Sequence, residues 1–348
     1  MVVEAQSYSK QWKALSDSSP YASFFQTQQA FEFYQSQAYL DAFALAVVND
    51  NQQLMGVAVG YIQAEKGLKK FFSRRAIIMG GLLLADTITP DLLQELLMAV
   101  KQRTRKAIYI EIRNHHDYSP FADTFAACGF DYHAHCNVKI TCDSWNDMLS
   151  RMDNNRRRVL KNSCINASPS KSERSEFDSP HHRITELPTY TYATTPEQVH
   201  QFYAMLVKHY QTKVRKPLFP LSFFVDMVQS NTGRLLLLYQ NNVLLGGMLQ
   251  VILPGRVVYD YYACANDAIY KDLSPSVSIY GITLQQALAE NIPLFDTMGA
   301  GVPEIPYGVR DFKLRFGGQL VQEGRFQCIH QSFLYKLGVM YIRYKSKE

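Results

Sequence analysis

Gly308-Val309-Arg310-Asp311-Phe312-Lys313-Leu314-Arg315-Phe316-Gly317-Gly318 is the stretch from which the rest of the chain can be ordered. Residues 309–316 read as a short helix stopped by the Gly317-Gly318 pair, because glycine readily takes the left-handed conformation that ends helices. Phe312 and Phe316 stand four apart and anchor one helix face, which directs Lys313 elsewhere. Just upstream, Leu294-Phe295-Asp296 reads as a strand leading into a glycine-rich loop around Gly299-Ala300-Gly301.

Further upstream the pattern is regular. Thr195-Pro196-Glu197-Gln198 is a capping box, and its helix turns Val199, Phe202, Tyr203, Leu206 and Tyr210 towards a core. Strands are expected at 234–240 and 243–253 around Asn241-Asn242, and at 257–265 after Pro254-Gly255-Arg256. Ser274-Pro275 then caps a helix carrying Val277, Ile282, Ala287 and Leu288. The same order occurs earlier in the chain. Runs 42–48 and 53–63 form a hairpin around Asn49-Asp50-Asn51, a third run covers 75–84, and Thr89-Pro90 starts a helix with Leu92, Leu93, Leu96, Leu97 and Val100 in helical register. A strand at 107–113 follows, then a short helix from Ser119-Pro120 carrying Phe121 and Phe125 and ending at Gly129. The chain therefore reads as a pseudo-repeat of the α/β class, each half a mixed sheet flanked by helices. The expected division is residues 1–162, an exposed Ser- and Pro-rich connector at 163–194, and residues 195–348.

At 348 residues the chain is long enough for two cores, and its 47% apolar and 19% charged residues exclude a disordered chain. The first residues have no apolar signal core, and the longest apolar run, 76–85, is about half the roughly 20 residues a spanning helix needs. A cytoplasmic protein without a transmembrane segment is expected. Six cysteines without a C-x-x-C pair read as reduced thiols, and Cys128, His133, His135, Cys136 and Cys142 match no common zinc spacing, so no metal is expected. A formal charge of +5 is too small to define a nucleic-acid binder. Two local clusters, Lys66, Lys69, Lys70, Arg74 and Arg75, and Arg151, Arg156, Arg157, Arg158 and Lys161, are either solvated faces or contacts for the phosphates of tRNA, coenzyme A or an anionic membrane surface.

With the 308–318 stretch, the preceding Phe295-Asp296 strand, Tyr259 to Ala263, Leu273-Ser274-Pro275 and Arg156-Arg157-Arg158, the sequence resembles the FemABX peptidyltransferases and FemAB-like acetyltransferases of the GNAT superfamily. The resemblance implies two GNAT-like domains in tandem and transfer of an acyl or aminoacyl group, from acyl-CoA or aminoacyl-tRNA, to an amine. The acceptor it implies is a cell-wall precursor, a lipid-linked sugar or a small amine. A lipid-linked acceptor would be met by peripheral docking on the inner face of the membrane. The region from Lys161 to Thr195 is too short and Ser/Pro-rich for the coiled-coil arm of some FemA-type members, which weighs against tRNA.

The resemblance gives Lys313 an electrostatic role, stabilising the charge that builds on the carbonyl oxygen as the amine attacks, or a contact with donor phosphate. An ordinary solvated lysine is the plain alternative. The first-half counterpart, Phe121-Ala122-Asp123-Thr124-Phe125, has Ala122 where Lys313 stands, which suggests a half kept for binding and architecture. Strand alternation puts Tyr259 and Tyr261 on one face and Asp260 and Tyr262 on the other. Asp260 is a candidate proton acceptor and Tyr262 a candidate relay, with Tyr259 and Tyr261 lining the site or filling the core. Asp296 orients or caps the loop after its strand. Arg310, Phe312, Phe316, Arg215 and Tyr210 complete the candidate binding set. Gln53-Leu54-Met55-Gly56-Val57-Ala58 mimics a pyrophosphate loop but lies in a hairpin, where no helix N-terminus follows. His115-His116 and His181-His182 read as surface histidines. The competing class is a non-catalytic binding protein for an anionic ligand or partner, built on two halves that have lost turnover.

Overall fold

Two hairpins, each followed by a third strand, a crossover helix and a parallel strand, organise the chain. The structure, a computed structural model, describes residues 1–64, 73–162, 188–214, 217–270 and 273–345. In chain order its strands and helices are β1 (Val2–Glu4), α1 (Ser9–Ser18), α2 (Gln28–Ser36), β2 (Leu40–Val48), β3 (Leu54–Gln63), β4 (Arg75–Gly80), β5 (Leu83–Leu84), α3 (Pro90–Arg103), β6 (Tyr109–Asn114), α4 (Ala122–Ala127) and β7 (Asp131–His133). There follow β8 (Cys136–Thr141), α5 (Trp145–Arg151), α6 (Asn154–Asn162), β9 (Thr189–Tyr192), α7 (Pro196–His209), α8 (Leu221–Gln229), β10 (Arg234–Gln240), β11 (Val243–Leu253) and β12 (Val257–Ala265). The last are α9 (Pro275–Ala289), β13 (Leu294–Gly299), α10 (Gly308–Leu314), β14 (Gln319–Gln322), β15 (Arg325–Ile329) and α11 (Ser332–Lys345).

One sheet has the order β1-β2-β3-β4-β6-β15-β7 with β5 against β3, and the other β14-β8-β13-β12-β11-β10-β9. The chain divides into two compact units: Met1–Asn137 with Gly301–Pro306 and Val321–Glu348, and Val138–Ala300 with Tyr307–Leu320. This corrects the division expected at residue 162. Helices α5 and α6 pack Met148, Leu149 and Leu160 into the core of the second unit, whereas β15 pairs with β6 and buries Phe326 and Cys328 in the first. Such a return is invisible to local pattern, because β15 is placed by pairing with a strand some two hundred residues earlier.

In the first unit, Asn49 Oδ1 accepts from the backbone N–H of Asn51 and Gln53, which closes the β2–β3 hairpin as its turn residues predicted. Thr89 caps α3, and Leu93, Leu96, Leu97 and Val100 are buried on one face. β4 and β6 then run parallel over six paired residues, from Arg75↔Tyr109 to Gly80↔Asn114.

The second unit repeats the order. Thr195 and Gln198 complete the capping box, and α7 buries Val199, Phe202 and Leu206. β10, β11 and β12 form an antiparallel meander, and β12 lies parallel to β13 across α9. One expected feature differs: Ser274 gives no side-chain cap to α9, because it sits in the left-handed region at φ 43°. Asp267 serves instead, its Oδ1 accepting from the Ser276 backbone N–H at 2.9 Å and Oδ2 from the Ser276 hydroxyl. A carboxylate at a helix N-terminus is favoured by the helix dipole as well as by these bonds.

Gly317 ends α10 at φ +77°, and a Cβ there would meet the Arg151 Cβ at 2.5 Å. Left-handed conformation alone costs a side-chain-bearing residue about 1–2 kcal/mol. Gly317→Ala is therefore expected to lower the unfolding free energy by about 2 kcal/mol or more, measured by urea denaturation.

Candidate active site

In the second unit β12 and β13 separate almost as soon as they meet. Their pairing consists of Val258↔Phe295 and Tyr259↔Asp296, against six pairs at the matching place in the first unit. A β-bulge accompanies the separation: Leu249 of β11 faces Tyr262 while Gln250 faces Asp260, so Tyr261 is the extra residue. Bulges bend a strand and raise its twist. Here the bend coincides with the point where β12 and β13 stop pairing, leaving a wedge of backbone groups between them.

Lys313 of α10 reaches the β13 side of this wedge. It is 6% exposed, and its Nζ donates to the carbonyl oxygens of Thr297, Met298 and Gly299 at 2.5, 3.2 and 3.1 Å. Successive carbonyls of a regular strand point in opposite directions, so three can converge on one ammonium only if the backbone leaves the β region. Met298 does so, at φ 58°. Asp296, 1% exposed, holds that conformation through its Oδ1, which accepts from the Met298 backbone N–H at 2.7 Å. Burial lowers the pKa of Lys313, while the charges of Asp260 and Asp296 favour its protonated form. The lysine is thus neither solvated nor free to donate: its three N–H bonds are spent on the loop.

Tyr280 of α9 donates its hydroxyl to Asp260 Oδ2 at 2.5 Å. Burial raises the Asp260 pKa, with Asp296 acting in the same direction; Lys313 and the Tyr280 hydroxyl oppose it. The Tyr280 pKa is pushed well above its usual value by burial and by Asp260, which keeps the phenol a donor. Phe312 and Phe316, expected as anchors, pack on this tyrosine: their ring centroids lie 5.2 and 4.8 Å from that of Tyr280, and Phe295 is at 5.2 Å. The aromatic stripe of α10 therefore fixes the donor that orients Asp260.

The bulge also corrects the expected alternation. Tyr262 shares no face with Asp260. Tyr261 and Tyr262 have ring centroids 4.8 Å apart, and both turn to α8, Tyr261 against Phe223 at 6.3 Å and Tyr262 against Phe224 at 5.0 Å. Tyr210 joins them, 6.1 Å from Tyr262, at the first position of a π-helical turn, Tyr210–Val214, that continues α7. Burial, with Asp260 next, pushes the Tyr210 pKa to about 12, so it too remains protonated. Tyr259 is 1% exposed and belongs to the core. Arg310 is partly accessible on α10, and Arg215 lies outside the described residues. Tyr280 was not singled out from sequence, since nothing local links it to a residue 20 positions away across a crossover. Among the described residues no group of three or more His, Cys, Asp and Glu side chains is placed to hold a metal ion, and no helix is long and apolar enough to cross a membrane. His181 and His182, Cys164, and Lys66, Lys69 and Lys70 of the first basic cluster also lie outside the described residues.

Comparison with known proteins finds relatives of the same fold. The family described as Acetyltransferase (GNAT) domain matches residues 171–313. FemX is similar in structure with a TM-score of 0.66 at 13% identity, over 94% of this chain and 98% of FemX. A tandem GNAT protein from the clavulanic acid biosynthesis pathway aligns with a TM-score of 0.57 at 11% identity, over 95% of this chain and 98% of that one. The C-terminal domain of a protein assigned as a lysylphosphatidylglycerol synthetase, from Agrobacterium fabrum, aligns with a TM-score of 0.54 at 12% identity, over 96% and 95%. No curated protein matches the sequence. The chain shares the tandem GNAT fold of FemX, and the match to the GNAT acetyltransferase domain falls on residues 171–313.

Replacing Lys313 by Met keeps most of the buried stem but leaves three carbonyls without a donor. Unsatisfied buried polar groups cost about 1–3 kcal/mol each. Lys313→Met is expected to lower the thermal unfolding midpoint by about 5 °C or more, measured by calorimetry, whereas a lysine with a purely chemical role would leave it unchanged.

Proposed function

We propose that the second unit transfers an acyl or aminoacyl group to an amine by direct attack, at the wedge between β12 and β13. The observation that carries this reading is the Asp260–Tyr280 hydrogen bond beside the buried Lys313 ammonium. Asp260 takes the proton that the attacking amine loses, Tyr280 orients the carboxylate, and Lys313 supplies a fixed positive charge while holding the Thr297–Gly299 carbonyls in place. The carbonyl–nitrogen bond forms as the ester or thioester bond of the donor breaks, and the donor oxygen or sulfur leaves with the proton that Asp260 took from the amine, which returns the carboxylate to its starting state.

For the donor, we favour an aminoacyl ester over acyl-CoA. An acyl-CoA would set its diphosphate against backbone N–H groups where a strand leads into a helix. At the β12–α9 junction that place already holds the Asp267 carboxylate, and the β3 segment resembling a pyrophosphate loop is the arm of a hairpin. The fold shared with FemX and with the lysylphosphatidylglycerol synthetase domain supports an acceptor on an envelope precursor, met at the membrane surface. The first unit, with β4 and β6 fully paired and Ala122 in place of the lysine, serves binding and architecture.

The test is the pH dependence of transfer to an amine, with aminoacyl-tRNA and acetyl-CoA offered in parallel. Rate should rise as Asp260 loses its proton, at a pH above the ordinary carboxylate range, and fall as Lys313 loses its proton, below the ordinary lysine value. Asp260→Asn should lower kcat by about a hundredfold or more. Full activity in that variant would remove Asp260 from the mechanism.

A further inference from the structure

Of the three consecutive arginines on α6, two spend their guanidinium groups locally. Arg157 Nη2 donates to the carbonyls of Ser150 and Met152 at 3.3 and 3.1 Å, and Arg158 Nη2 donates to Asn155 Oδ1 at 3.1 Å. Arg156 does not. Its Cζ lies 4.7 Å over the Phe312 ring and 5.4 Å over that of Phe316; its Nε, like that of Arg157, is buried without an acceptor, and, unlike Arg157, its guanidinium has no hydrogen-bond partner among the described residues. The nearby acids are committed elsewhere. Asp153 accepts from the Arg156 backbone N–H at 2.7 Å and faces Arg315 Nε at 3.7 Å, and both oxygens of Asp267 are held by Ser276.

A guanidinium presents five N–H donors in a planar fork suited to an oxygen pair, and leaving such donors buried and unmade is costly. Two aromatic faces fix its plane. Burial works against its charge, the charge of Asp153 and, more weakly, Asp267 favours it, and the like charge of Arg315 opposes it, with a lowered pKa as the result. A solvated surface arginine would show none of this.

We propose that Arg156 anchors an oxyanion subsite on the face of α10 that carries Phe312 and Phe316, taking a phosphate or carboxylate group of a substrate. The subsite stands whether or not the acyl-transfer reading holds, since it rests on side chains that take no part in proton transfer. It also gives the arginine triplet a division of labour, with Arg157 and Arg158 securing the helix and Arg156 left for a ligand.

The experiment uses the full chain labelled with 15N-arginine, and follows the Arg156 Nε–H resonance and the thermal unfolding midpoint. The probes are sodium phosphate and sodium acetate, with potassium chloride at matched ionic strength as reference. A saturable shift of the Arg156 resonance is expected, together with a midpoint rise of about 3 °C at tenfold excess over Kd. The midpoint rise should be absent in Arg156→Met, which keeps the bulk over the rings; Arg156→Gln serves if that variant does not fold. Response to phosphate alone assigns a phosphate-bearing ligand, and response to acetate alone a carboxylate. No response beyond chloride, or an equal midpoint rise in the variant, would overturn the subsite.

Discussion

The second unit is arranged around the burial of one ammonium group. Removing a cation from water is expensive, and the expense is tolerated only when hydrogen bonds and opposite charge meet it. Lys313 has both: three carbonyls in contact and the charges of Asp260 and Asp296 close by. Each of these requirements constrains the chain elsewhere. Three converging carbonyls force Met298 into the left-handed region, Asp296 is needed to hold it there, and the β13 edge so engaged does not pair further with β12.

The consequence for chemistry is indirect. The lysine cannot touch a reacting oxygen without giving up a carbonyl, yet its charge reaches Asp260 and restrains the rise in carboxylate pKa that burial alone would produce. The carboxylate is also oriented by Tyr280, whose ring is held by Phe295, Phe312 and Phe316. The motif on α10 thus shapes the surroundings of Asp260 through its aromatic residues as much as through its lysine. The first unit has the same strand order but lacks the lysine, and its matching strands stay paired over six residues.

Much of this was legible from sequence where short-range rules apply. Turn residues marked both hairpins, Thr195 and Gln198 marked the capping box, and the four-residue spacing of Phe312 and Phe316 separated their face from Lys313. The spacing could not say where the lysine points, because its partners are backbone carbonyls turned by a non-glycine residue at positive φ, for which Met298 gives no local signal. Alternation failed at Tyr261 for a similar reason: a bulge depends on the register of the neighbouring strand. The Asp260–Tyr280 pair and the return of β15 to the first sheet are products of crossover geometry, and the Asp267 cap displaced the expected Ser274 cap through a loop contact.

The account turns on Tyr280 orienting a working carboxylate. Tyr280→Phe keeps the ring contacts and removes the hydroxyl, so its pH–rate profile is the most direct test. Since that hydroxyl lowers the Asp260 pKa, the acid limb should move to higher pH and kcat should fall about tenfold or more, with the fold retained. An unchanged acid limb and rate would contradict the role given to Asp260.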